Sequence, residues 1–266
     1  MTRRPLLHIA SIAAAMSLVI AACGGAASQA PALTDPKEIL TQSVLSLKDV
    51  KTVEIVGALS GKLDVAELGG SLDLSSTTIA AAADIPNQKA QVKIDAPALL
   101  GTKVDAIVVD GVAYVKIDGP LAGMAGFEAG KYVKEELPEP SAAPGGSGGI
   151  DTENEIQKQI DEFQKQLDEL PNPPTKEADQ KCGDQDCYHV QIKASAEDMK
   201  ELDPEAGSMT GDVTIDWLAR KSDLRPAQIK ISIASPDMGT VGITLDFKYD
   251  GTVNISAPPA DQVVTK

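Results

Sequence analysis

Val241-Gly242-Ile243-Thr244-Leu245-Asp246-Phe247-Lys248-Tyr249 places an apolar side chain at every second position. That is the period of a strand with one face buried and the other in water. The same period recurs along the chain: Val53, Ile55 and Leu59; Leu72 and Leu74; Ile79, Ala81, Ala83 and Ile85; then Ala90, Val92 and Ile94 alternating with Gln91, Lys93 and Asp95. Residues 104–109 and 112–117 flank Asp110-Gly111, a dipeptide suited to positive φ, and read as a hairpin. Later come Tyr188, Val190 and Ile192; Val213, Ile215 and Trp217; and Ile229, Ile231 and Ile233. Half-buried alternation of this kind belongs to antiparallel sheet. The predicted fold is α+β: a single antiparallel sheet of about ten strands carrying an N-terminal helix and an inserted helix. A sheet so wide must curl, and its apolar side needs cover.

Two segments carry helical spacing. Thr34-Asp35-Pro36-Lys37-Glu38 sets an N-cap before proline at the first helical position. A helix is predicted over residues 35–47, with Ile39, Leu40, Val44 and Leu47 as its apolar face. Thr152 and Glu155 match a capping box ahead of Ile156, Ile160, Phe163, Leu167 and Leu170, and Pro171, Pro173 and Pro174 end that helix. A short helix is expected over residues 196–202. Residues 138–149, rich in Pro, Gly and Ser, have too little apolar surface to fold and read as a linker.

The N-terminus is a leader. Arg3 and Arg4 precede an apolar run, residues 6–20, that is short and small-residue-rich for a membrane span. Ile20-Ala21-Ala22-Cys23 follows, which resembles the bacterial lipobox: the thiol of Cys23 takes diacylglycerol and the peptide is cut just before it. The alternative is ordinary cleavage near Ala22 with an incidental cysteine. The boundaries expected are 1–22 for the signal peptide, 23–34 for a lipidated N-terminus and flexible tether, and 35–266 for one domain, with 138–180 as linker plus inserted helix. Two acyl chains hold a protein stably to a membrane without crossing it.

Cleavage would take Arg3 and Arg4 from 24 basic side chains, leaving 22 against 39 acidic ones and a net charge of −17. Such a surface repels phosphate, so nucleic acid is not an expected partner. Aromatics are 3% of the chain, so the core must be aliphatic, which permits an internal cavity. Cys182 and Cys187 remain as an even pair, read as a disulfide closing a short loop; a metal or redox pair would need further ligands or a Cys-x-x-Cys spacing. His8 leaves with the leader, so His189 is the one histidine of the mature chain, and it reads as a solvated strand position rather than a base. No Gly-x-Ser-x-Gly elbow, Walker loop or dinucleotide fingerprint occurs. Asp184 and Asp186 read as a polar turn, and Asn254-Ile255-Ser256 as an incidental sequon. No enzyme activity, metal or cofactor is expected.

Taken in order, the lipobox, the Asp-Pro-capped helix, Asp110-Gly-Val-Ala-Tyr-Val115, Cys187-Tyr-His-Val190, the strand at 212–217 followed by Leu224-Arg225-Pro226, and Ile255-Ser-Ala-Pro-Pro-Ala-Asp261 resemble the LppX/LprA/LprF/LprG envelope lipoproteins of actinobacteria. The resemblance spans nearly all of the mature chain and departs at the linker before Thr152. That family is similar to the LolA/LolB lipid carriers. The resemblance implies that the sheet is a LolA-like curved half-barrel, with helices covering its concave face, that holds the acyl chains of a lipid or glycolipid and carries it within the cell envelope. It implies a monomer held by diacylglycerol and palmitate in the outer leaflet of the cell membrane, with a transporter or acceptor in the envelope as possible partner. Ile39, Leu40, Val44, Val53, Ile55, Ala90, Val92, Ile94, Val241, Ile243 and Leu245 are assigned to the cavity, the strand sets being the most continuous apolar ones. Ile156, Ile160, Phe163 and Leu167 are assigned to a lid helix. The competing reading is a lipid-anchored sensor or interaction protein of the same fold without lipid cargo.

Overall fold

The computed structural model describes residues 32–65, 70–124, 126–137, 152–198, 211–236 and 239–265. Cys23, the leader, the linker 138–149 and most of the helix expected over 196–202 lie outside them; residues 196–198 are helical. Asp35–Lys266 forms one compact unit.

Helix α1 is Pro36–Leu45, and Asp35 caps it: its Oδ1 accepts from the Lys37 amide at 2.8 Å and the Glu38 amide at 3.4 Å. The helix stops two residues earlier than expected because, from Leu47 on, the amides of Leu47, Lys48 and Val50 bond three residues back, to Val44, Leu45 and Leu47, and turn the chain into the first strand. The strands are β1 Thr52–Val65, β2 Gly70–Asp73, β3 Thr78–Asp84, β4 Lys89–Ala96, β5 Thr102–Val109, β6 Val112–Asp118 and β7 Tyr132–Glu136, with α2, Pro120–Met124, between the last two. After α3, Thr152–Glu169, come β8 Thr175–Lys176, β9 Gln180–Cys182, β10 Gln185–Ala194, β11 Asp212–Arg220, β12 Pro226–Ser235, β13 Gly239–Tyr249 and β14 Val263–Thr265.

All fourteen strands among the described residues belong to one curved, unclosed sheet. Its order is β14-β7-β6-β5-β4-β3-β1-β13-β12-β11-β10-β8, with β2 on β1 and β9 on β10. Pairing is antiparallel except between β14 and β7. The count exceeds the expected ten by β7, β8, β9 and β14. Each has five residues or fewer, too few to show a period, and each exists because a neighbouring strand offers its edge. Ile85, expected in a strand, instead opens the turn before β4 and is 52% exposed. The proline that follows it donates no ladder hydrogen bond.

The two faces of the sheet are built differently. On the outer face the C-terminal segment runs back across β5 and β7, burying Ile255 against Ile107, Val109 and Tyr132, with Val253 and Val263 alongside. The Tyr132 hydroxyl donates to Asp105 Oδ2 at 2.8 Å, and Gln91 Nε2 donates to Asp105 Oδ1 at 3.0 Å. Burial, reinforced by that carboxylate, pushes the Tyr132 phenol up to about 12. Elsewhere the outer face is a lattice of Lys and Asp, with Lys103 and Asp95 2.9 Å apart and Lys116 and Asp118 3.4 Å apart. These exposed pairs are worth little individually. Cys182 and Cys187 are joined across the β9–β10 hairpin, Cα atoms 6.0 Å apart.

The tail is therefore a structural strap. Ile255→Ala is expected to lower unfolding free energy by about 2 to 4 kcal/mol, because the vacated space lies among rigid strands. A change in denaturation midpoint below about 0.5 kcal/mol would mean that the tail contributes no core.

Candidate functional site

Residues directly paired in an antiparallel ladder project to the same side of the sheet. The register therefore links side chains across the whole molecule. Val190 pairs with Trp217, Trp217 with Ile229, Ile229 with Leu245, and Leu245 with Gly57. Gly57 pairs with Ile79, Ile79 with Ile94, Ile94 with Val104, and Val104 with Ile117. Positions two residues up or down each strand share that side, and from β10 to β6 the one charged residue among them is Asp186, exposed at the outer end of β10 where it pairs with Lys181 of β9.

Helix α1 marks this as the inner face. It lies over β10 and β11. The Trp217 indole Nε1 donates to Ser43 Oγ at 2.9 Å, and Ser43, Ile39 and Leu40 are fully buried. Beneath the helix Val190 and Ala219 are inaccessible and Val213 is nearly so. Away from it the same face is much less covered. Val53, Ile55, Ile79, Ile94, Val104 and Ile243 are half-buried, and Val92 is 37% exposed. Among the described residues, the inner face is thus an apolar trough sealed along one side.

The assigned residues fall within this trough. Val53, Ile55, Ala90, Val92, Ile94, Val241, Ile243 and Leu245 all lie on the inner face, and Ile39 and Leu40 enter it from α1, with Val44 half-buried beside them. Sequence reasoning left out Ile79, Val104, Ile117, Ile229 and Ile231, which share the face; their parity was visible but the register joining it to the other strands was not. It also missed the Trp217–Ser43 bond, which spans 174 residues.

The lid stripe is placed differently from the expectation. α3 rests on α1, where Leu167 lines a groove with Thr41 and Gln42, and Lys37 Nζ lies 2.5 Å from Asp168. Ile160 and Leu167 are buried and Phe163 is half-buried; the Ile156 side chain is outside the described residues. Of these two helices α1 is the one that packs on the strands of the inner face, and α3 backs it.

His189 is paired rather than freely solvated. It sits on the outer face, half-buried, with Nε2 2.7 Å from Asp216 Oδ1, an oxygen that also accepts from Gln191 Nε2 at 2.9 Å. The partner carboxylate comes from β11 and could not be paired with His189 without the register. Among the described residues no group of three or more His, Cys, Asp or Glu converges as a metal site would require, and no helix is long and apolar enough to cross a membrane.

No family model matches the chain, and no curated protein matches it. Solved structures similar in shape include lipoprotein LppX of Mycobacterium tuberculosis, at 13% identity over 83% of this chain and 98% of that one, with a TM-score of 0.44. LprF from Mycobacterium bovis is similar at 16% identity over 84% and 96%, TM-score 0.45. The MucA/MucB complex of Pseudomonas aeruginosa gives 9% identity over 85% of this chain and 59% of that one, TM-score 0.38. These likenesses carry no residue role to this chain.

Burial pushes the Asp216 carboxyl up, but the hydrogen bonds from Gln191 and His189 outweigh it and hold it below the usual carboxylate range. A depressed carboxyl stabilises the fold above its unfolded pKa, and that stabilisation is lost as pH falls through its folded value. Between pH 7 and pH 3 the native protein should therefore lose more stability than Asp216→Asn does, measured by urea midpoints across that range. Parallel curves would remove Asp216 from the acid response.

Proposed function

We propose that the chain is a lipid-anchored, extracytoplasmic carrier that holds the acyl chains of a lipid or glycolipid against the inner face and moves it within the cell envelope. One observation supports this most directly: a wide face with no charged side chain except Asp186 at its margin stays half-covered in the folded protein. Exposed apolar surface of that extent is unfavourable unless something occupies it. An acyl chain needs no hydrogen-bond partners, and its affinity comes from apolar area removed from water, about 25 cal/mol per Å². The trough offers that chemistry along its length, while a polar headgroup must remain at one end. The role is non-catalytic. Lipidation of Cys23 would keep the carrier at the membrane where its cargo resides, and the resemblance read from the sequence points the same way.

Mass spectrometry of organic extracts from the purified protein tests the cargo. Lipid should be recovered in stoichiometric amount from the native protein, and recovery should fall severalfold in Val92→Trp and Ile243→Trp, which fill the trough at a cost of about 1 to 3 kcal/mol in stability. Folded variants with unchanged lipid content would place the cargo elsewhere, and empty native protein would favour the sensor reading.

Anchoring is tested separately. Cys23→Ala should abolish incorporation of labelled fatty acid and either release the protein from membranes or leave an uncleaved precursor, since only a thiol forms the thioether. A processed and still acylated variant would overturn the lipobox assignment.

A further inference from the structure

The β4–β5 turn, residues 97–101, combines two features that the fold leaves unexplained. Leu100 holds φ at 57°, in the left-handed region that disfavours a leucine, and its side chain is 66% exposed. Leu99 beside it is 40% exposed. Asn or Gly would sit in that backbone conformation more easily, and a polar side chain would be better solvated. The turn is nevertheless rigid. The Leu99 amide donates to the Ala96 carbonyl, the Gly101 amide to Pro97, and both the amide and the hydroxyl of Thr102 donate to the Leu99 carbonyl.

A second loop supports it. A Cβ at Gly119 would lie 3.2 Å from the Gly101 carbonyl oxygen and 3.1 Å from Thr102 Cα, so the segment leading into α2 packs directly on the turn. Ala122 of α2 is buried at 2% exposure. Residues 97–101 and 119–130 together contain a single charged residue, Glu128, in a chain that is 24% charged. The opposite end of the sheet is densely ion-paired, with Arg225 2.5 Å from Asp250 and Lys221 2.5 Å from Asp179.

We infer that the Leu99-Leu100 turn is a membrane-inserting tip, which dips into the acyl region of a lipid monolayer, with the Asp95–Lys103 pair left behind it at the headgroups, and seats that end of the trough there so that cargo passes without crossing water. The inference rests on the carrier reading for its purpose, though not for its geometry. Two leucines are far too small for a stable protein interface, which buries about 1,200 to 2,000 Å². A bilayer requires no matching surface and accepts any apolar tip free of charge. The tip is also continuous with the trough: Ala96 and Thr102, which bracket it, lie on the inner face in register with each other and in line with Ile94 and Val104.

The test uses the full chain with vesicles of phosphatidylethanolamine and phosphatidylglycerol. A polarity-sensitive label is placed at Leu100→Cys and, as reference, at Val56→Cys, a 54% exposed site on the outer face; label taken up by the unsubstituted chain is subtracted. The label at position 100 should shift to the blue and be quenched by brominated lipid, and the label at position 56 should not. Equal behaviour at the two positions, or a blue shift at position 100 that grows with protein concentration before vesicles are added, overturns the tip, the latter in favour of a second copy of this chain. Leu100→Gly relieves the backbone while removing the side chain. It should fold at least as stably as the native protein, retain its extracted lipid, and transfer that lipid to acceptor vesicles about tenfold more slowly, the loss expected for one leucine withdrawn from an apolar phase. Native transfer by this variant refutes the role. Absence of any extractable lipid refutes the carrier reading instead and leaves the insertion result standing.

Discussion

The register of β1 against β13 on one side and β3 on the other governs the rest of the molecule. Val53 faces Tyr249 and Ala83, and Ile55 faces Phe247 and Ala81, so one parity of the central strand is aligned with one parity of both neighbours. Because side chains alternate, a slip of one residue would turn Glu54 and Lys62 into the trough and the valines and isoleucines into water. Gly57 sits at the middle of this strand. A Cβ there would come within 2.9 Å of Leu245 Cδ2 and 3.1 Å of Ile79 Cβ, so the flanking side chains close over β1 where a larger residue would hold them apart. Gly61, at φ 92°, then turns the last residues of β1 away from β13 and into pairing with β2. The centre of the sheet is bent where glycine permits the bend.

A wide open sheet must also manage its two edges and two faces. One edge is closed by β14, laid parallel to β7 by a tail that first covers the outer face; the other ends at β8, two residues long. Short edges offer little template for another chain. The outer face is satisfied by water, by alternating Lys and Asp, and by the strap at Ile255. The inner face has no strap and, between β10 and β6, a single charge at its margin, Asp186, and the fold gives it α1. That helix is held in orientation by Trp217 and Ser43, since a buried indole N–H without an acceptor would be costly.

Much of this was legible in the sequence, and the limits were physical. Alternation showed ten strands, and Asp35 before Pro36 marked the start of α1, because both signals are local. Tyr132–Glu136 has two apolar residues in five and Val263–Thr265 is three residues long, so neither carries a period; both are strands only because distant segments meet them. For the site, each strand revealed its own apolar parity, but nothing local joined the parity of Val92 to that of Ile243, or either one to α1. Long-range pairing supplies that link, and for the same reason His189 read as solvated until Asp216 appeared across the ladder.

Side-chain size along the inner face separates core from trough. Beneath and beside α1 the face carries Trp217, Ile215, Ile229 and Ile231, large enough to meet a helix at ordinary packing distance. Toward the far side, Ala81 and Ala83 on β3, Ala90 on β4, Ala106 on β5 and Ala113 on β6 project on the same side, all half-buried. A sheet packing against its own helices gains by filling such positions, since each buried methylene is worth about 0.8 kcal/mol. Alanine at five of them forgoes that gain and leaves depth without adding polarity. With aromatics at 3% of the chain there are few rings to take up the space from elsewhere. The distribution suits a surface whose missing volume is supplied from outside the chain, by a ligand as apolar and as adaptable in shape as the residues it would replace.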